Sequence, residues 1–389
     1  MRQTNDASIR IGIDAANIRI GGGITHLLEL LDALDVSTMQ INQVYVWASE
    51  QTLQRLPNQE WLIKINPPSL NQGLIARIGW QCYGLSKAAK AACCDVLLIP
   101  GGSYFGSFTP VVTMSQNLFP FEWSMIKLSG FSVRTFKFIL LRWAQSWSFR
   151  RSSGVIFLTE HAKNTVIKVT GHLRAKQAIV AHGLNPRFDY QPKIQLPIEQ
   201  YSANNPYQLI YISTVDVYKN QTQVILAIEQ LRRKGYPLTL ALVGPAEPGA
   251  LELVQKLQAK IDPKRSWLQY LGALSYENLH LVYQKSDLSI FASSCETFGM
   301  TVLENMSVGL PIACSNISSM HEILGDGGLY FDPTKPSDIA AVVEKYLLHP
   351  QLRDQKQKIA HSLSLQYSWR RCAQETVDFM KSVLVKKIN

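Results

Sequence analysis

Glu296 and Glu304 stand at the two ends of the run ETFGMTVLE, close behind the apolar stretch Leu288–Phe291. That stretch is typical of a buried strand. A helix beginning near Phe298 and Gly299 would then leave backbone N–H groups at its first turn, where a pyrophosphate is attracted. Glycine lets a phosphate approach the chain without a Cβ in the way. The run therefore predicts a site for a phosphorylated ligand, with a helix start formed by Phe298, Gly299, Met300 and Thr301.

The two glutamates could bind hydroxyl groups of one ligand. If residues 299–304 rise at helical pitch, Glu304 lies roughly 8 Å along the helix from Gly299. That separation suits one carboxylate on a sugar and the other on the ribose of a nucleotide-sugar. The alternative is a helix with two unrelated, solvated carboxylates. The surrounding sequence, with the turn and apolar run GLPI at 309–312, favours the shared ligand.

A cation is needed near such a site because a departing nucleoside diphosphate gathers negative charge. Lys219, which stands before Asn220 and after the predicted strand Leu209–Ser213, is the candidate. No Asp-x-Asp sequence that could hold a metal occurs in the chain, so we expect neither a metal nor another cofactor. The alternative for Lys219 is a surface lysine in a first helical turn.

Short β-branched and apolar runs alternate with longer periodic segments from end to end of the chain. This alternation is typical of repeated β-α units and parallel sheets. It predicts an α/β fold with two doubly wound, Rossmann-like sheets, each covered by helices on both faces. The predicted strands are Ile9–Asp14, Gln43–Val46, Asp95–Ile99, Val111–Met114, Gly154–Leu158 and Ala178–Ala181, then Leu209–Ser213, Leu238–Val243, Leu268–Leu271, Leu288–Phe291, Pro311–Cys314 and Leu329–Phe331.

The domain limits follow from a proline-rich, polar segment in the middle of the chain, which we predict as a linker or hinge over 191–206. An N-terminal domain, which we expect to bind the acceptor, would then cover 1–190, and a donor-binding domain 207–366. Residues 367–389 would form a C-terminal helix that returns to the first domain. Two such domains would place a cleft between the C-terminal edges of their strands, where ligands bind in sheets of this kind.

Charge is distributed unevenly along the chain, which carries a formal net charge of +10. Residues 1–190 hold 19 Lys and Arg against 11 Asp and Glu, and no acidic residue lies between Glu122 and Glu160. Basic residues alternate with aromatic ones, Phe131 among them, across 124–151, a pattern that suits an anionic bilayer. The alternatives are a helix packed by its aromatics with solvated basic groups, and, ranked last, a nucleic-acid surface.

The passage ASSCETFGMTVLENMSVGLPIACSNISSMHEILGDGGLYFDP resembles the donor-site signature of the retaining glycosyltransferase family 4, which has the GT-B fold. The resemblance extends to the first strand and glycine loop at 11–23 and to the turn at 179–183. It also includes 213–220 and the start of the last helix at 367–369. It therefore covers nearly the whole chain, and the second half is the more specific.

The resemblance implies roles for individual residues of the second half. Glu296 would contact the donor sugar, Glu304 the ribose hydroxyls, and Lys219 the leaving diphosphate. The backbone of Gly299 and Met300 would contact the sugar or the phosphates. The donor-binding set also includes Phe298, Thr301 and Thr214.

The first half contributes an acceptor or phosphate loop with two departures nearby. Gly22 and Gly23 resemble the family's flexible glycine loop, although a plain loop is the alternative. Many relatives have a His after the strand at 111–114, where this chain has Gln116 and Asn117, whose amides could bind a sugar. Relatives also often carry an Arg beside the phosphate-binding Lys, and the corresponding positions here are Thr214 and Tyr218.

Taken together, the sequence predicts a metal-independent, retaining glycosyltransferase in cell-envelope or exopolysaccharide biosynthesis. The donor would be a UDP-, GDP- or ADP-sugar, and the acceptor a saccharide or lipid-linked saccharide. The composition, 46% hydrophobic and 17% charged, argues against a disordered or fibrous chain. The start of the sequence shows no secretory signal, and we expect a cytoplasmic protein, at the inner face of the plasma membrane if the bilayer contact forms. Alternatives are a sugar-nucleotide epimerase or phosphorylase, a non-catalytic nucleotide-sugar-binding subunit and, last, a nucleic-acid binder.

Overall fold

The computed structural model describes residues 8–19, 21–128, 130 and 133–384. The chain divides into two compact units. The first runs to Gly183 and resumes at Tyr367, and the second is Leu184–Gln366. Each unit is built around a parallel sheet of its own.

The first unit contains a seven-stranded parallel sheet with the strand order β3-β2-β1-β4-β5-β6-β7. The first strand, IRIGID, is apolar and almost wholly buried, as the central strand of a covered sheet requires. The elements in chain order are β1 Ile9–Asp14, α1 Gly22–Asp32, β2 Ile41–Trp47, α2 Glu50–Leu53, β3 Leu62–Ile65, α3 Leu74–Gly79, α4 Leu85–Ala91, β4 Val96–Ile99, β5 Val111–Ser115, α5 Trp123–Leu128, α6 Val133–Arg151, β6 Gly154–Phe157, α7 Glu160–Thr170 and β7 Lys176–Ile179.

The second unit contains a six-stranded parallel sheet with the order β10-β9-β8-β11-β12-β13. The strand order reverses between β8 and β11, and open α/β sheets bind ligands at the carboxyl ends of the strands that flank such a reversal. The elements are β8 Tyr207–Ile212, α8 Gln221–Arg233, β9 Leu238–Val243, α9 Pro248–Ile261, β10 Leu268–Tyr270, α10 Leu279–Lys285, β11 Leu288–Phe291, α11 Met300–Ser307, β12 Ile312–Ser315, α12 Met320–Leu324, β13 Leu329–Phe331, α13 Pro336–Leu348 and α14 Pro350–Ser364.

The predicted fold class is confirmed: two doubly wound, Rossmann-like units of parallel strands and covering helices. All six strands predicted in the second half are present. The prediction omits β3, a short and only half-buried edge strand whose sequence LIKI lacks a clear apolar signature. It also places β7 too late, at Ala178–Ala181 rather than Lys176–Ile179.

The last helix, α15 at Trp369–Ser382, packs on α1 and β6 of the first unit. This is the predicted return of the C-terminal helix. Gly183 makes the close approach possible, because a Cβ at that position would lie only 2.1 Å from the backbone nitrogen of Trp369. Any other residue at 183 would displace the start of the helix.

The segment predicted as a hinge, 191–206, belongs to the second unit, whose first residue is Leu184. Gln195 accepts a hydrogen bond from Nε of Arg353 at 3.0 Å, and Nζ of Lys193 donates to the carbonyl of Ser286 at 3.0 Å. Arg353 is fully buried. These bonds attach the segment to the second unit, and its role as a hinge stays a prediction.

Candidate active site

The second-unit residues singled out from the sequence surround the reversal in strand order between β8 and β11. These two strands pair directly, Leu288 with Leu209 and Ser289 with Ile210. Lys219 follows β8, and Glu296 and Gly299 follow β11. Because both strands run in the same direction, the residues that follow them emerge at the same edge of the sheet.

Lys219 ends a single 3₁₀ turn, Val217–Lys219, that is fixed at both ends. Oδ1 of Asp216 accepts a hydrogen bond from the backbone N–H of Val217 at 2.7 Å. Asn220 adopts a left-handed conformation with φ of 55°, which asparagine tolerates better than most residues. Its side-chain amide donates to the carbonyl of Ala292 and to Oγ of Ser294, both at 2.8 Å. The turn that carries Lys219 is therefore attached to the loop after β11.

The Lys219 side chain is buried, with 8% of its surface exposed. Its ammonium forms an ion pair with Oε1 of Glu296 and lies 4.9 Å from the ring centre of Tyr218 and 5.6 Å from that of Phe291. Burial lowers the pKa of Lys219, but the charge and hydrogen bond of Glu296, together with Tyr218 and Tyr211, raise the pKa overall. The alternative of a solvated surface lysine is therefore wrong.

Glu296 is held by a polar segment after β12. Its backbone N–H donates to Oγ of Ser318 at 2.9 Å, and the Ser318 hydroxyl donates to its carbonyl at 2.7 Å. The hydroxyl of Ser319 donates to the carbonyl of Phe298 at 3.2 Å. Together these bonds fix the backbone from Glu296 to Phe298 and so aim the Glu296 carboxylate at Lys219.

Gly299 is the capping residue of α11, which begins at Met300 as the sequence predicts. Its φ of 94° lies in the left-handed region, and a Cβ there would lie 2.7 Å from Cε of Met320. No side chain caps the helix at this position. The N–H groups of Met300 and Thr301 thus stand in the first turn, where an α-helix supplies no acceptor of its own. An anion is a natural acceptor there.

Glu304 points into the second unit, where 6% of it is exposed and its Oε2 accepts a hydrogen bond from Oη of Tyr283 at 3.0 Å. The Glu296 side chain is also largely buried, at 16%. The alternative of two solvated carboxylates is therefore wrong. Whether Glu304 binds ribose stays a prediction.

The two remaining second-unit candidates occupy different surroundings. Thr214 follows β8 and is half-buried, and its carbonyl accepts a hydrogen bond from the side-chain amide of Gln221 at 2.9 Å. Phe298 is buried at 2% exposure directly before the start of α11. Both lie in loops that follow β8 and β11, as the donor-binding prediction requires.

In the first unit, Gly22 and Gly23 are not a flexible loop but the first residues of α1, which Gly21 caps with a φ of 68°. Gln116, after β5, approaches this helix start: a Cβ on Gly23 would lie 3.7 Å from Oε1 of Gln116. Asn117 is exposed, and its Oδ1 accepts a hydrogen bond from the N–H of Phe119 at 3.0 Å in a local turn. The structure thus brings Gln116, rather than Asn117, to the glycine run.

Several residues that shape these regions do not stand out in the sequence. Ser318 and Ser319 fix the backbone of Glu296, and Tyr283 holds Glu304. The polar run SNISS directly after a buried strand is a signal that could have pointed to the two serines. His182 is buried against His26, with 3.0 Å between their Nδ1 atoms.

The basic and aromatic segment 124–151 forms most of α5 and all of α6; Phe131, which is part of that prediction, lies outside the described residues. Phe149 is buried, whereas Val133, Phe136 and Trp143 expose 88%, 63% and 63% of their surface. Lys127 and Lys137 are exposed as well. Among the described residues, none of the helices combines the length and apolarity needed to cross a bilayer.

Part of the chain matches a known protein family. Residues 195–362 match the family of glycosyl transferases group 1. The O-antigen chain mannosyltransferase B of Escherichia coli is 28% identical over 237 residues, which cover 58% of this chain and 60% of that protein. A glycogen synthase of Mycobacterium tuberculosis is 23% identical over 238 residues, 60% of this chain and 55% of the synthase. The chain thus matches less than two thirds of the length of these relatives.

Solved structures match over almost the whole chain. HepE of Anabaena, crystallised with UDP and glucose, aligns with a TM-score of 0.72 at 18% identity, covering 96% of this chain and 100% of HepE. Sucrose-phosphate synthase of Thermosynechococcus elongatus gives 0.74 at 13% identity, covering 96% and 98%. At such identities the likeness concerns the fold, which is that of the GT-B glycosyltransferases. The second unit thus contains a domain that matches the family of glycosyl transferases group 1, and the chain has the GT-B fold.

Proposed function

We propose that the chain transfers a sugar from a nucleoside diphosphate donor to a saccharide or lipid-linked saccharide, with retention at the anomeric carbon and without a metal. The observation that carries the proposal is the buried ion pair of Lys219 and Glu296 beside the uncapped start of α11. A cation and a helix start together supply positive potential for a diphosphate. Glu296 supplies an acceptor for sugar hydroxyls next to it.

Donor binding would rearrange this ion pair rather than create a new site. The diphosphate would accept hydrogen bonds from the N–H groups of Met300 and Thr301 and would share the Lys219 ammonium. The Glu296 carboxylate would then also accept hydrogen bonds from hydroxyl groups of the donor sugar, while its backbone stays fixed by Ser318. Glu304, oriented by Tyr283, would accept from the ribose hydroxyls.

The reaction would proceed on one face of the donor sugar. The bond between the anomeric carbon and the diphosphate oxygen breaks, and a bond to the acceptor hydroxyl oxygen forms on the same face. The hydroxyl proton passes to the departing phosphate oxygen. Lys219 and the α11 start stabilise the charge that develops on the diphosphate, which is the role a metal would otherwise fill.

The relatives support the substrate classes in this proposal. HepE was solved with UDP and glucose, so a UDP-sugar is one candidate donor beside GDP- and ADP-sugars. The Escherichia coli relative is a mannosyltransferase of the O-antigen chain, which favours a growing polysaccharide as acceptor. We therefore assign the chain to cell-envelope or exopolysaccharide synthesis, and we assign it to the GT-B family 4 by the resemblance of its donor motif.

We also propose that α5 and α6 contact an anionic bilayer at the cytoplasmic face of the plasma membrane. Exposed aromatic and aliphatic side chains of α6 can enter the headgroup region while Lys127 and Lys137 meet anionic lipid. Flotation with vesicles of phosphatidylcholine, with and without phosphatidylglycerol, tests this proposal. Binding should require the anionic lipid and should fall in the Phe136→Ser and Trp143→Ser variants.

A thermal-shift screen with UDP-, GDP- and ADP-sugars tests the donor assignment. A ligand at about 100 times its dissociation constant adds about 2.7 kcal/mol to the free energy of unfolding. One nucleotide class should stabilise the wild type and have little effect on Lys219→Met. No shift with any donor would contradict the proposal, and donor consumed without an acceptor would instead indicate an epimerase.

A further inference from the structure

The first unit holds two arginines, Arg19 and Arg77, beside the carboxyl end of β1. Arg19 stands in the loop after β1, and its Nη2 donates to the carbonyl of Leu70 at 2.6 Å. Arg77 stands on α3, and its Nη1 donates to Oδ1 of Asn17 at 2.9 Å. Burial, together with the charge of Arg19, lowers the pKa of Arg77. The two like charges thus lie within electrostatic range of each other.

Neither arginine is neutralised within the described part of the chain, where no carboxylate lies within ion-pair distance of either group. The Nε–H of Arg19 and the Nε–H of Arg77 are both buried, and neither has a hydrogen-bond partner among the residues that the structure describes. A buried donor without a partner on a charged group costs free energy of folding. Two such donors in one region indicate that an acceptor is missing. An anion between the guanidinium groups would supply it.

Asp14, the acidic residue at the end of β1, forms hydrogen bonds with other groups. Its Oδ1 accepts from the N–H of Ala16 at 3.1 Å, and its Oδ2 accepts from the side-chain amide of Gln81. Gln81 stands in a π-helical turn, Trp80–Gly84, that directly follows α3. Turns of this kind are rare and are often found at functional sites. Here the turn attaches the end of α3 to the carboxyl end of β1.

The location is the counterpart, within the first unit, of the donor site in the second. β1 and β4 flank the reversal of strand order in the seven-stranded sheet, and Asn17 and Arg19 follow β1. A Cβ on Gly101, which follows β4, would lie 4.0 Å from Cβ of Asn17. The arginine pair therefore lies at the edge of the sheet where a ligand is expected.

We propose that Arg19 and Arg77 bind a phosphate or diphosphate group of the acceptor, an inference that rests on the function proposed above. Guanidinium groups match the oxygen geometry of phosphate and can each bind it in a bidentate manner. The anion could belong to a lipid-linked saccharide or to a free sugar phosphate.

The outer face of α3 favours the lipid-linked source. Ile75 exposes 87% of its surface and Tyr83, in the π-helical turn, 78%. Leu74 and Ile78 are exposed on the same helix. An apolar tail leaving the phosphate could run over these side chains, since exposed apolar patches beside a polar site mark lipid or ligand contacts.

Calorimetry with the full chain tests the proposal in the presence of a saturating nucleoside diphosphate, chosen from the donor screen, so that the donor site is occupied. The probes are inorganic pyrophosphate, farnesyl diphosphate below its micellar concentration, and farnesol. We expect pyrophosphate and farnesyl diphosphate to bind, and Arg19→Gln and Arg77→Gln each to weaken both at least about tenfold. The matched control is Arg174→Gln, an exposed arginine of the same unit, which should leave both affinities unchanged.

The source of the anion follows from the probes. Tighter binding of farnesyl diphosphate than of pyrophosphate indicates a lipid-linked acceptor, and equal binding indicates a free sugar phosphate. Equal binding of farnesol and farnesyl diphosphate, or unchanged affinities in both arginine variants, would overturn the proposal.

Two further measurements separate this proposal from its rivals. Thermal melts establish that the variants fold. Arg77→Lys keeps the positive charge but lacks the planar guanidinium group that binds two oxygens, and it should lose only part of the affinity. The affinity of the nucleoside diphosphate should not change in any arginine variant. If it falls, the arginines serve the donor instead of the acceptor, and this inference fails while the proposed transferase activity stands.

Discussion

The two units use the same sheet architecture but treat charge at the reversal of strand order in opposite ways. In the second unit, Lys219 is buried and paired with Glu296, so the cation is already in place and electrically compensated. In the first unit, Arg19 and Arg77 lie within electrostatic range of each other, and the Nε–H group of each is buried and has no partner in the described part of the chain. A paired cation can exchange its carboxylate for an incoming diphosphate, whereas an unpaired set gains its partner only when a ligand arrives. The difference suits the proposed donor site of fixed geometry and the proposed acceptor site that recognises an anion.

Removing the paired cation should have the largest effect. Lys219→Met leaves Glu296 buried without its partner and takes away the positive charge at the departing diphosphate, so we expect kcat to fall about 10²- to 10³-fold. The control is Lys234→Met, because Lys234 pairs with Glu344 in the same unit but is largely exposed. Steady-state kinetics with the donor from the screen provide the measurement. Comparable activity in the two variants would remove Lys219 from the reaction.

Removing the carboxylate of the pair should have a smaller effect, because the cation remains. Glu296→Ala should reduce turnover at least about tenfold by removing the contact with the donor sugar, while donor binding through the phosphates persists. The matched control is Glu252→Ala, which breaks an exposed pair with Lys256 on α9. Turnover and donor affinity should be measured together; wild-type turnover in Glu296→Ala would take Glu296 out of the site.

Substitution of Gly299 tests the shape of the second-unit site without changing its charge. Gly299→Ala places a Cβ at a φ of 94° and 2.7 Å from Cε of Met320, and the strained backbone alone costs about 1–2 kcal/mol. We expect lower thermal stability and weaker donor binding. The double variant Gly299→Ala with Met320→Ala should relieve the side-chain clash but not the backbone strain, so it should recover only part of the loss. Full recovery would show that the clash, and not the backbone conformation, requires glycine.

The contrast between the units also explains which site residues can be predicted from the sequence. The second site is built from consecutive residues after two strands, so a linear motif such as ETFGMTVLE contains the carboxylates, the capping glycine and the helix start together. Lys219 was found for the same reason, beside Asn220. Ser318 and Tyr283, by contrast, come from other elements and are brought to the glutamates only by the fold.

The first unit shows more clearly which residues a single sequence cannot predict. Arg19 and Arg77 come from a loop and a distant helix, and no local pattern relates them. Gly22 and Gly23 were expected in a flexible loop because glycine runs are typical of loops. They instead begin α1, since Gly21 takes the left-handed conformation one residue earlier. Tertiary contacts decide such positions, and a single sequence carries little record of them.

The smallest expected effect concerns a third arrangement of charge, the neutral buried pair of His26 and His182. Burial lowers the pKa of His26 to about 4, and burial together with His26 lowers that of His182. Both rings lie against Trp369 at the start of α15, with ring centres 5.7 Å from it. Because the folded-state pKa of His26 is below that of the unfolded chain, the unfolded state binds more protons between about pH 6.5 and 4, so stability falls as the pH is lowered.

From pH 7.5 to 5.5 this linkage should cost about 1 kcal/mol for His26 alone. Hydrogen exchange of α15 should therefore accelerate at pH 5.5 beyond the intrinsic effect of pH, and less so in His26→Leu. His172→Leu, which changes an exposed histidine of the same unit, should keep the wild-type response. If His26→Leu kept it too, the acid sensitivity would arise from other groups. The attachment of the last helix would then not depend on an uncharged pair.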